Sequence, residues 1–263
     1  MAARLRAALD IVVTLALLAT CVVVIMTHWS RLWPTVHDPW TPNATISNEG
    51  AALKGDGDAP VVIVEWSDYQ CPYCARVQRD VLMALEDQFI KTGKVQLAFR
   101  HKPLEKVHPF ARQAAVAAVC AGEQGRFWEM HKALFQDDKD LTEAGIRSRA
   151  EVVGLDTGSF VACLGSSQAA ARVREDARIA SGLGLSGTPA FAVGRRQADG
   201  RVKVTTVFEG AKPLGAFVAA IAKAEARSGG RLAYMSRVAV AVGVAGGVAL
   251  WLRKRRVAQL ETS

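Results

Sequence analysis

The sequence predicts an α/β fold that carries an all-helical insertion and is flanked by two apolar segments. Three observations predict it. A strand of the buried type, a helix and a second strand follow one another in the first half of the chain. A block of helices comes next, and two further strands and a last helix complete the order. The length of 263 residues allows one folded domain of roughly 150 to 200 residues with appendages.

The positive charge of the chain is concentrated near its two ends. The formal net charge is +8, but basic and acidic residues nearly balance between residues 30 and 230. The excess lies in Arg4 and Arg6 and in residues 231–256, which end on Arg-Lys-Arg-Arg. Such charge beside apolar runs is typical of membrane orientation. We therefore expect a membrane and no nucleic acid among the partners.

The first apolar run predicts a transmembrane helix at residues 9–29, after a cytoplasmic N-terminus at residues 1–8. Ile11 to Met26 carries no charge, and its neighbours extend it toward the ~17 to 25 residues that span a bilayer. Three tryptophans follow where an interfacial aromatic belt lies, namely Trp29, Trp33 and Trp40. A cleaved signal peptide is the alternative, although no small-residue cleavage site ends the run. Residues 30–57 are expected to form an extracytoplasmic linker.

The second apolar run predicts another transmembrane helix at residues 237–252. It follows a linker at residues 228–236 and precedes a basic cytoplasmic tail at residues 253–263. Its uncharged part reaches only ~22 Å as a helix, so an interfacial helix is the alternative. If both helices span, the basic ends lie on one side and the domain between them on the other. We expect a cell-membrane protein whose domain faces the periplasm or the cell surface.

The domain itself is expected at residues 58–227. One short edge strand near Thr45 and Ile46 is the only element predicted in the linker before it. Pro60 to Trp66 is a β-branched apolar run and predicts a buried strand. The residues from Cys71 onward have helical spacing up to Gly93, and the next strand is predicted at residues 95–100.

The insertion is expected at about residues 108–184 and is all helical. Five segments have apolar or alanine-rich helical periodicity: Phe110–Ala121, Phe127–Phe135, Thr142–Val153, Asp156–Leu164 and Gln168–Leu183. A hairpin of residues 189–193 and 202–208 follows, and a helix at residues 213–227 ends the domain.

The chemistry of the sequence centres on Cys71-Pro72-Tyr73-Cys74. The pair follows a predicted strand and opens a helix, where unpaired N–H groups and the helix dipole favour a thiolate. Pro72 suits the first helical position because it has no N–H to leave unpaired. We predict a lowered pKa and an exposed position for Cys71, the nucleophile, and a deeper position for Cys74, the resolving thiol. Half of a zinc knuckle is the alternative, but no second Cys/His pair has matching spacing.

Three motifs resemble the DsbA-like family of thiol-disulfide oxidoreductases. They are residues 64–74 (Val-Glu-Trp-Ser-Asp-Tyr-Gln-Cys-Pro-Tyr-Cys), residues 125–128 (Gly-Arg-Phe-Trp) and residues 186–191 (Ser-Gly-Thr-Pro-Ala-Phe). The resemblance covers roughly residues 58–226 and implies a thioredoxin-like fold with a helical insertion. It also implies that Pro189 is cis and faces the cysteine pair. The backbone of Thr188 would then pair with an extended substrate segment beside Cys71, with Pro72 and Tyr73 part of the substrate-binding surface.

Glu65 matches the buried acid of that family. A carboxyl group at low dielectric has a raised pKa and could exchange a proton with Cys74. The alternative is a glutamate at a strand edge that faces water. Asp68 and His108 are expected to be solvated or capping residues, and no role is assigned to either.

Three cysteines lie outside the motif. Cys21 falls in the first apolar run and is best explained as a small buried hydrophobe. Cys120 and Cys163 fall in separate predicted helices and could form a structural disulfide in an oxidising compartment. Two free buried thiols, or a second redox relay, are the alternatives.

The sequence therefore predicts a protein thiol-disulfide oxidoreductase with no cofactor and no metal. We expect it to act on reduced or misoxidised extracytoplasmic proteins, as a disulfide donor, and to be recycled by a membrane redox partner. A reductase or isomerase of the same fold is the alternative, because Pro72 and Tyr73 do not fix the reduction potential. A protein that holds copper between two thiolates is a further alternative, which the lack of Met- or His-rich motifs disfavours.

Overall fold

The structure is a computed structural model and describes residues 44–136 and 140–226. The predicted transmembrane helices at residues 9–29 and 237–252 lie outside the described residues, as do the two tails, the linker at 228–236 and Cys21. Within the described ranges, no helix combines the length and the apolar character that a membrane crossing needs.

One six-stranded sheet forms the centre of the domain. Its strands are β1 (Thr45–Ile46), β2 (Ala52–Lys54), β3 (Val61–Ser67), β4 (Val95–His101), β5 (Ala190–Arg196) and β6 (Val202–Glu209). Their order across the sheet is β1-β6-β5-β3-β4-β2. Strands β3 and β4 pair in parallel, as a strand-helix-strand unit requires, and every other pair is antiparallel. Strands β3 and β4 are fully buried, and the burial of β3 explains its apolar, β-branched sequence.

The helices lie between and after these strands. Those of the described ranges are α1 (Pro72–Val77), α2 (Met83–Leu85), α3 (Ala111–Glu123), α4 (Phe127–Gln136), α5 (Glu143–Val153), α6 (Thr157–Leu164), α7 (Ser167–Gly182) and α8 (Leu214–Glu225). Two π-helical stretches, Gln78–Leu82 and Glu86–Ile90, join and extend α1 and α2. The segment that was predicted as one regular helix after Cys71 is therefore a helix with two wide turns.

Two strands lie in the range that was predicted to be a linker. β1 pairs with β6, and β2 pairs with β4 from Ala52 opposite Phe99 to Lys54 opposite Leu97. The predicted start of the domain at residue 58 is therefore too late, because both strands belong to its sheet. The edge strand at Thr45 and Ile46 was predicted, whereas β2 was not.

Both faces of the sheet are covered, and the insertion adds a third apolar cluster. On one face α1, α2 and α8 pack on β3 and β5 through residues such as Ile63 and Phe217. On the other face α7 packs through Ala180 against β3 residues such as Val62 and Val64. The third cluster joins helices α3 to α7 to the turn that holds Cys71 and Cys74.

A buried ion pair ties the insertion to the sheet. The Arg100 guanidinium of β4 lies 2.5 Å from the Asp176 carboxylate of α7, and both side chains are almost fully buried. Asp176 also accepts the backbone N–H of His101, and its carbonyl accepts the indole N–H of Trp66. Arg100 in turn donates to the carbonyl of Ser47 beside β1. The network joins β3, β4, α7 and the segment after β1.

A disulfide lies inside the insertion. It joins Cys120 of α3 to Cys163 of α6, the pairing that the sequence suggested, over a separation of 43 residues. Among the described residues, Cys71 and Cys74 are the free cysteines.

Candidate active site

The cysteine motif lies where β3 passes into α1. Cys71 donates its N–H to the carbonyl of Asp68, which closes a tight turn directly after the strand. Pro72 is the first residue of α1, as its missing N–H and fixed φ favour. Tyr73 is 55% exposed, whereas Cys71 is 4% exposed and Cys74 fully buried. The prediction of an exposed Cys71 is therefore wrong, because the helical insertion packs against this turn.

The two thiols are unequal. A hydrogen bond from the Cys74 thiol lowers the pKa of Cys71 to about 5, with help from the backbone N–H groups of Cys74 and Tyr73, although burial opposes the shift. Burial raises the pKa of Cys74, and the neighbouring Cys71 raises it further. Cys71 is therefore the sulfur that ionises readily, and Cys74 is the sulfur that keeps a proton.

The Thr188–Pro189 loop lies against Cys71. The peptide bond between the two residues is cis, and the Cys71 thiol lies 3.6 Å from the carbonyl oxygen of Thr188. The Glu209 carboxylate accepts the N–H groups of Ser186 and Gly187 and so orients the start of this loop. The implied juxtaposition of Thr188 and Pro189 with the cysteine pair is present.

Glu65 lies on β3 with no exposed surface. Burial raises the pKa of its carboxyl group to about 7. The Gln78 amide donates to both carboxyl oxygens, at 3.2 Å and 3.4 Å. The alternative of a glutamate that faces water is excluded.

Asp68 was expected to be solvated or capping, and it is buried, so the structure contradicts solvation and fits a capping role. One carboxylate oxygen accepts the N–H of Gln70, and the other accepts the N–H of Leu104 and lies 2.8 Å from Nδ1 of His108. Asp68 therefore connects the turn before Cys71 to the segment after β4 through hydrogen bonds.

The sequence analysis missed two residues of the site, Ser67 and Gln78. Ser67 follows Glu65 by two residues, which in a strand places both side chains on one face. Gln78 follows Cys74 by four residues, so both lie on one face of the helical segment. These two spacings were the available signals.

Metal ligands do not cluster in the described ranges: no group of three or more His, Cys, Asp or Glu side chains there could hold a metal ion. The site that the structure shows consists of two thiols, a buried acid and the cis-proline loop.

Comparison with known proteins agrees with this geometry. A family model described as thioredoxin matches residues 47–209. The probable disulfide bond formation protein D of Bacillus anthracis is 31% identical over 146 residues, which are 53% of this chain and 67% of that protein. The Na(+)/H(+) antiporter NhaA 3 of Salinispora tropica is 35% identical over 179 residues, which are 68% of this chain and 26% of the antiporter. This chain thus spans about a quarter of that relative.

A solved structure has the same fold. The crystal structure of alpha-DsbA1 from Wolbachia pipientis superposes with a TM-score of 0.60 at 24% identity, over 68% of this chain and 92% of that one. The family match covers more than half of the chain and includes both active-site cysteines and the cis proline. The chain therefore belongs to the thioredoxin family.

Proposed function

We propose that the protein donates disulfide bonds to extracytoplasmic proteins through its Cys71–Cys74 pair. The observation that carries this proposal is the asymmetry of the two thiols beside the Thr188–Pro189 loop. Cys71 has a strongly lowered pKa, while Cys74 is buried behind it with a raised pKa. An ionisable sulfur next to a protonated one is the arrangement that exchanges and resolves disulfides.

The proposed reaction has two steps. A substrate thiolate attacks Sγ of Cys71 in the oxidised protein, so that a substrate–Cys71 disulfide forms and the Cys71–Cys74 bond breaks. Cys74 leaves as a thiolate and takes up a proton. A second substrate thiolate then attacks the substrate sulfur and releases Cys71 as a thiolate. The substrate loses two electrons, which the protein holds as its dithiol.

The low pKa of Cys71 supports the donor direction. A thiolate that the fold stabilises makes the reduced protein more stable relative to the disulfide form, so the disulfide oxidises other thiols. It also makes Cys71 a good leaving group in the second step. A reductase or isomerase of the same fold is the alternative, because direction depends on the reduction potential of the pair.

The setting of the reaction is part of the proposal. Transmembrane helices at residues 9–29 and 237–252 would hold the domain on the extracytoplasmic side of the cell membrane, where its substrates are reduced or misoxidised proteins. A membrane redox partner would reoxidise the dithiol. No ion transport is proposed, because the antiporter relative matches this chain over only a quarter of its length. Copper carriage is not favoured, because the sequence has no Met- or His-rich motif near Cys71.

A redox titration of the Cys71–Cys74 couple in the full-length protein tests the direction. A potential near the ~−120 mV end of the range of disulfide enzymes, with oxidation of a reduced unfolded protein, is the expected result. A potential near ~−270 mV, without such oxidation, would overturn the donor assignment.

Mixed-disulfide trapping tests the roles of the two cysteines. Cys74→Ala should accumulate substrate–Cys71 disulfides, because the resolving thiol is gone. Cys71→Ala is the matched control and should accumulate none. Equal trapping by the two variants would contradict the assignment of Cys71 as nucleophile.

A further inference from the structure

A groove of about 500 Å³ lies between the helical segment that follows Cys74 and helix α4 of the insertion. The residues that line it include Gln78, Arg79, Leu82, Met83, Trp128 and Lys132. The Thr188–Pro189 loop does not contribute to its lining. The groove is therefore separate from the surface beside Cys71 where a reacting peptide would pair with Thr188.

The interior of the groove is apolar. Leu82, Ile90, Leu97 and Phe135 line it and are buried within the domain. Met83 lies among them in sequence and space but is 65% exposed. Methionine is flexible and adapts to partners of different shape, which makes it common on binding surfaces. The groove can therefore bury apolar side chains of a bound partner.

Two polar side chains of the groove are already held in place by the residues behind them. The Gln78 amide donates to the Glu65 carboxyl group at 3.2 Å, and the Tyr69 hydroxyl lies 3.1 Å from Nδ1 of His131. Burial lowers the pKa of His131 to about 3, so its imidazole is uncharged at neutral pH. Side chains that are ordered before binding lose little conformational entropy when a partner docks.

Three cations extend from the active site to the groove. The Arg76 guanidinium lies 5.5 Å from the centre of the Tyr73 ring, and Arg79 and Lys132 line the groove itself. Arg76, Arg79 and Lys132 take part in no ion pair with the other described residues. Their charges are therefore available to an acidic partner.

The acids of this surface do not cancel that charge. Glu86 is the acid in the groove lining, and Lys54 neutralises it at 2.6 Å. Asp87 pairs with Lys91, and Asp80 is exposed outside the groove lining. The lining thus contains three basic residues and one acid, and such a surplus attracts and orients a segment of negative charge.

The distance between Cys71 and the groove suits an extended peptide. Gln78 follows Cys71 by seven residues, so the near end of the groove lies about 10 Å from Cys71 along the helix axis. The wall from Gln78 to Ile90 is about 18 Å long. An extended chain covers about 3.3 Å per residue, so about three residues reach the groove and five or six fill it.

We propose that the groove binds an acidic, apolar stretch of the polypeptide whose cysteine reacts with Cys71. The proposal rests on the disulfide exchange proposed above and specifies its substrate class. Such substrates carry alternating acidic and apolar residues that begin about three residues from the reacting cysteine. The acids pair with Arg79 and Lys132. A peptide suits the lining better than an acyl chain, because its backbone can hydrogen-bond to polar groups such as His131 that an acyl chain would only desolvate.

The test follows cysteine peptides that are capped as mixed disulfides with thionitrobenzoate and react with the reduced full-length protein. The Cys71 thiolate attacks the peptide sulfur and displaces the coloured thionitrobenzoate thiolate. Cys74 then attacks the sulfur of Cys71 and frees the peptide as a thiol. The protein loses two electrons and becomes a disulfide, while the capping disulfide is reduced to two thiols. Release of the coloured thiolate measures the first step.

Four capped peptides differ only in the segment joined to Cys-Gly-Ser-Gly. The acidic apolar segment is Glu-Leu-Glu-Phe-Glu-Leu, and the other three replace its glutamates by glutamine, its glutamates by lysine, or its apolar residues by serine. A second series places the segment before the cysteine. Every rate is divided by that of the capped peptide without a segment, so that the contribution of the segment is isolated.

The acidic apolar peptide should react about 2- to 30-fold faster than its glutamine version in at least one series, which is the range that two exposed ion pairs provide. The lysine version should show no advantage, and the preference should shrink at high salt. The serine version should be about tenfold slower than the acidic apolar peptide, because burial of one leucine side chain contributes about that factor.

A charge reversal separates the groove from a folding defect. Arg79→Glu combined with Lys132→Glu should invert the preference, so that the lysine peptide reacts faster than the acidic one. A folding defect would slow both peptides alike. Arg174→Glu combined with Lys203→Glu is the matched control, because it changes the net charge equally through exposed residues outside the groove lining. The control should keep the preference of the wild type.

A binding measurement separates this proposal from the proposed function. Fluorescence anisotropy of the labelled acidic peptide, with serine in place of its cysteine, measures the groove without sulfur chemistry. Saturable binding that the charge reversal abolishes supports the proposal. Absence of binding, equal rates for the acidic and lysine peptides, or a serine version as fast as the apolar one overturns it. Equal peptide rates with binding of laurate in equilibrium dialysis would assign the groove to an acyl anion instead. A protein that reacts with no capped peptide contradicts disulfide exchange, and anisotropy then still decides whether the groove binds the segment.

Discussion

Replacing Cys74 by alanine is expected to raise the pKa of the Cys71 thiol toward that of free cysteine. In the wild type this pKa is lowered from 9.0 to about 5, and the largest cause is the hydrogen bond from the Cys74 thiol. Alanine removes that donor and leaves the backbone N–H groups, so most of the shift should be lost. The perturbation therefore isolates the contribution of one hydrogen bond to the reactivity of the site.

The size of the effect depends on pH in a characteristic way. At pH 5.5 about three quarters of a thiol with a pKa near 5 is ionised, against about 0.03% of one with a pKa of 9. Nucleophilicity falls with pKa at a slope of about 0.4 to 0.5, so four units cost about 40- to 100-fold. For two equally accessible thiols, the two effects combine to make the one with a pKa near 5 about 20 to 60 times faster at pH 5.5, and about 20 to 50 times slower at pH 9. The rates of two such thiols would cross near neutral pH.

The assay is alkylation by iodoacetamide from pH 4 to 10, followed by mass spectrometry of the Cys71 peptide. Burial of Cys71 slows every rate by a common factor, so the midpoint of the profile carries the information. The wild type should have its midpoint near pH 5, and Cys74→Ala a midpoint several units higher. A wild-type midpoint near 9, or an unchanged midpoint in the variant, would refute the electrostatic account.

Three further predictions concern stability. Replacing Cys120 and Cys163 together by alanine should lower the free energy of unfolding by about 2 to 4 kcal/mol, because the disulfide closes a long loop. Urea denaturation without reductant measures the change in stability. An unchanged unfolding midpoint would contradict the prediction. Asp176→Ala leaves the Arg100 charge buried without its partner and should lower the free energy of unfolding by about 3 to 5 kcal/mol, as measured by thermal denaturation. A loss below about 1 kcal/mol, which is typical of exposed ion pairs, would show that the pair is solvated. Glu65 has a folded pKa raised from 4.5 to about 7, so its contribution to stability is full below pH 4.5 and is lost as pH rises through 7. Glu65→Gln should therefore equal the wild type near pH 4 and exceed it by about 3 kcal/mol at pH 8, and equal stabilities at both pH values would show that Glu65 is not desolvated.

The regular elements of the domain were predictable because their signals are local. The β-branched run that forms β3 was predicted at Pro60 to Trp66 and is observed at Val61–Ser67. The helix that begins at Pro72 was predicted because proline has no N–H and therefore suits the first helical position. Glycine, proline and the periodicity of apolar residues indicate where a helix or strand begins and ends, and each signal lies within a few residues of that boundary.

The features that were missed depend on partners distant in sequence. Strand β2 has three residues, too few to show alternation, and exists because β4 offers it hydrogen bonds. Asp68 is buried because His108 and the N–H of Leu104, far along the chain, satisfy its carboxylate. The wide turns after Val77 are only five residues long, which is too short for a period to separate them from an α-helix. Tertiary contacts decided these cases, and no local pattern reports them.

The separation of Thr188 from Cys71 has a consequence for how the molecule is made. The two residues that face each other across the reacting sulfur are 117 positions apart, with the whole helical insertion between them. A nascent chain that has emerged only as far as the insertion contains the thiol pair but lacks the Thr188–Pro189 loop, beside which a substrate peptide would bind. Disulfide exchange with a bound peptide therefore requires the complete domain. The insertion delays the start of this activity during synthesis, because it must be made before Thr188.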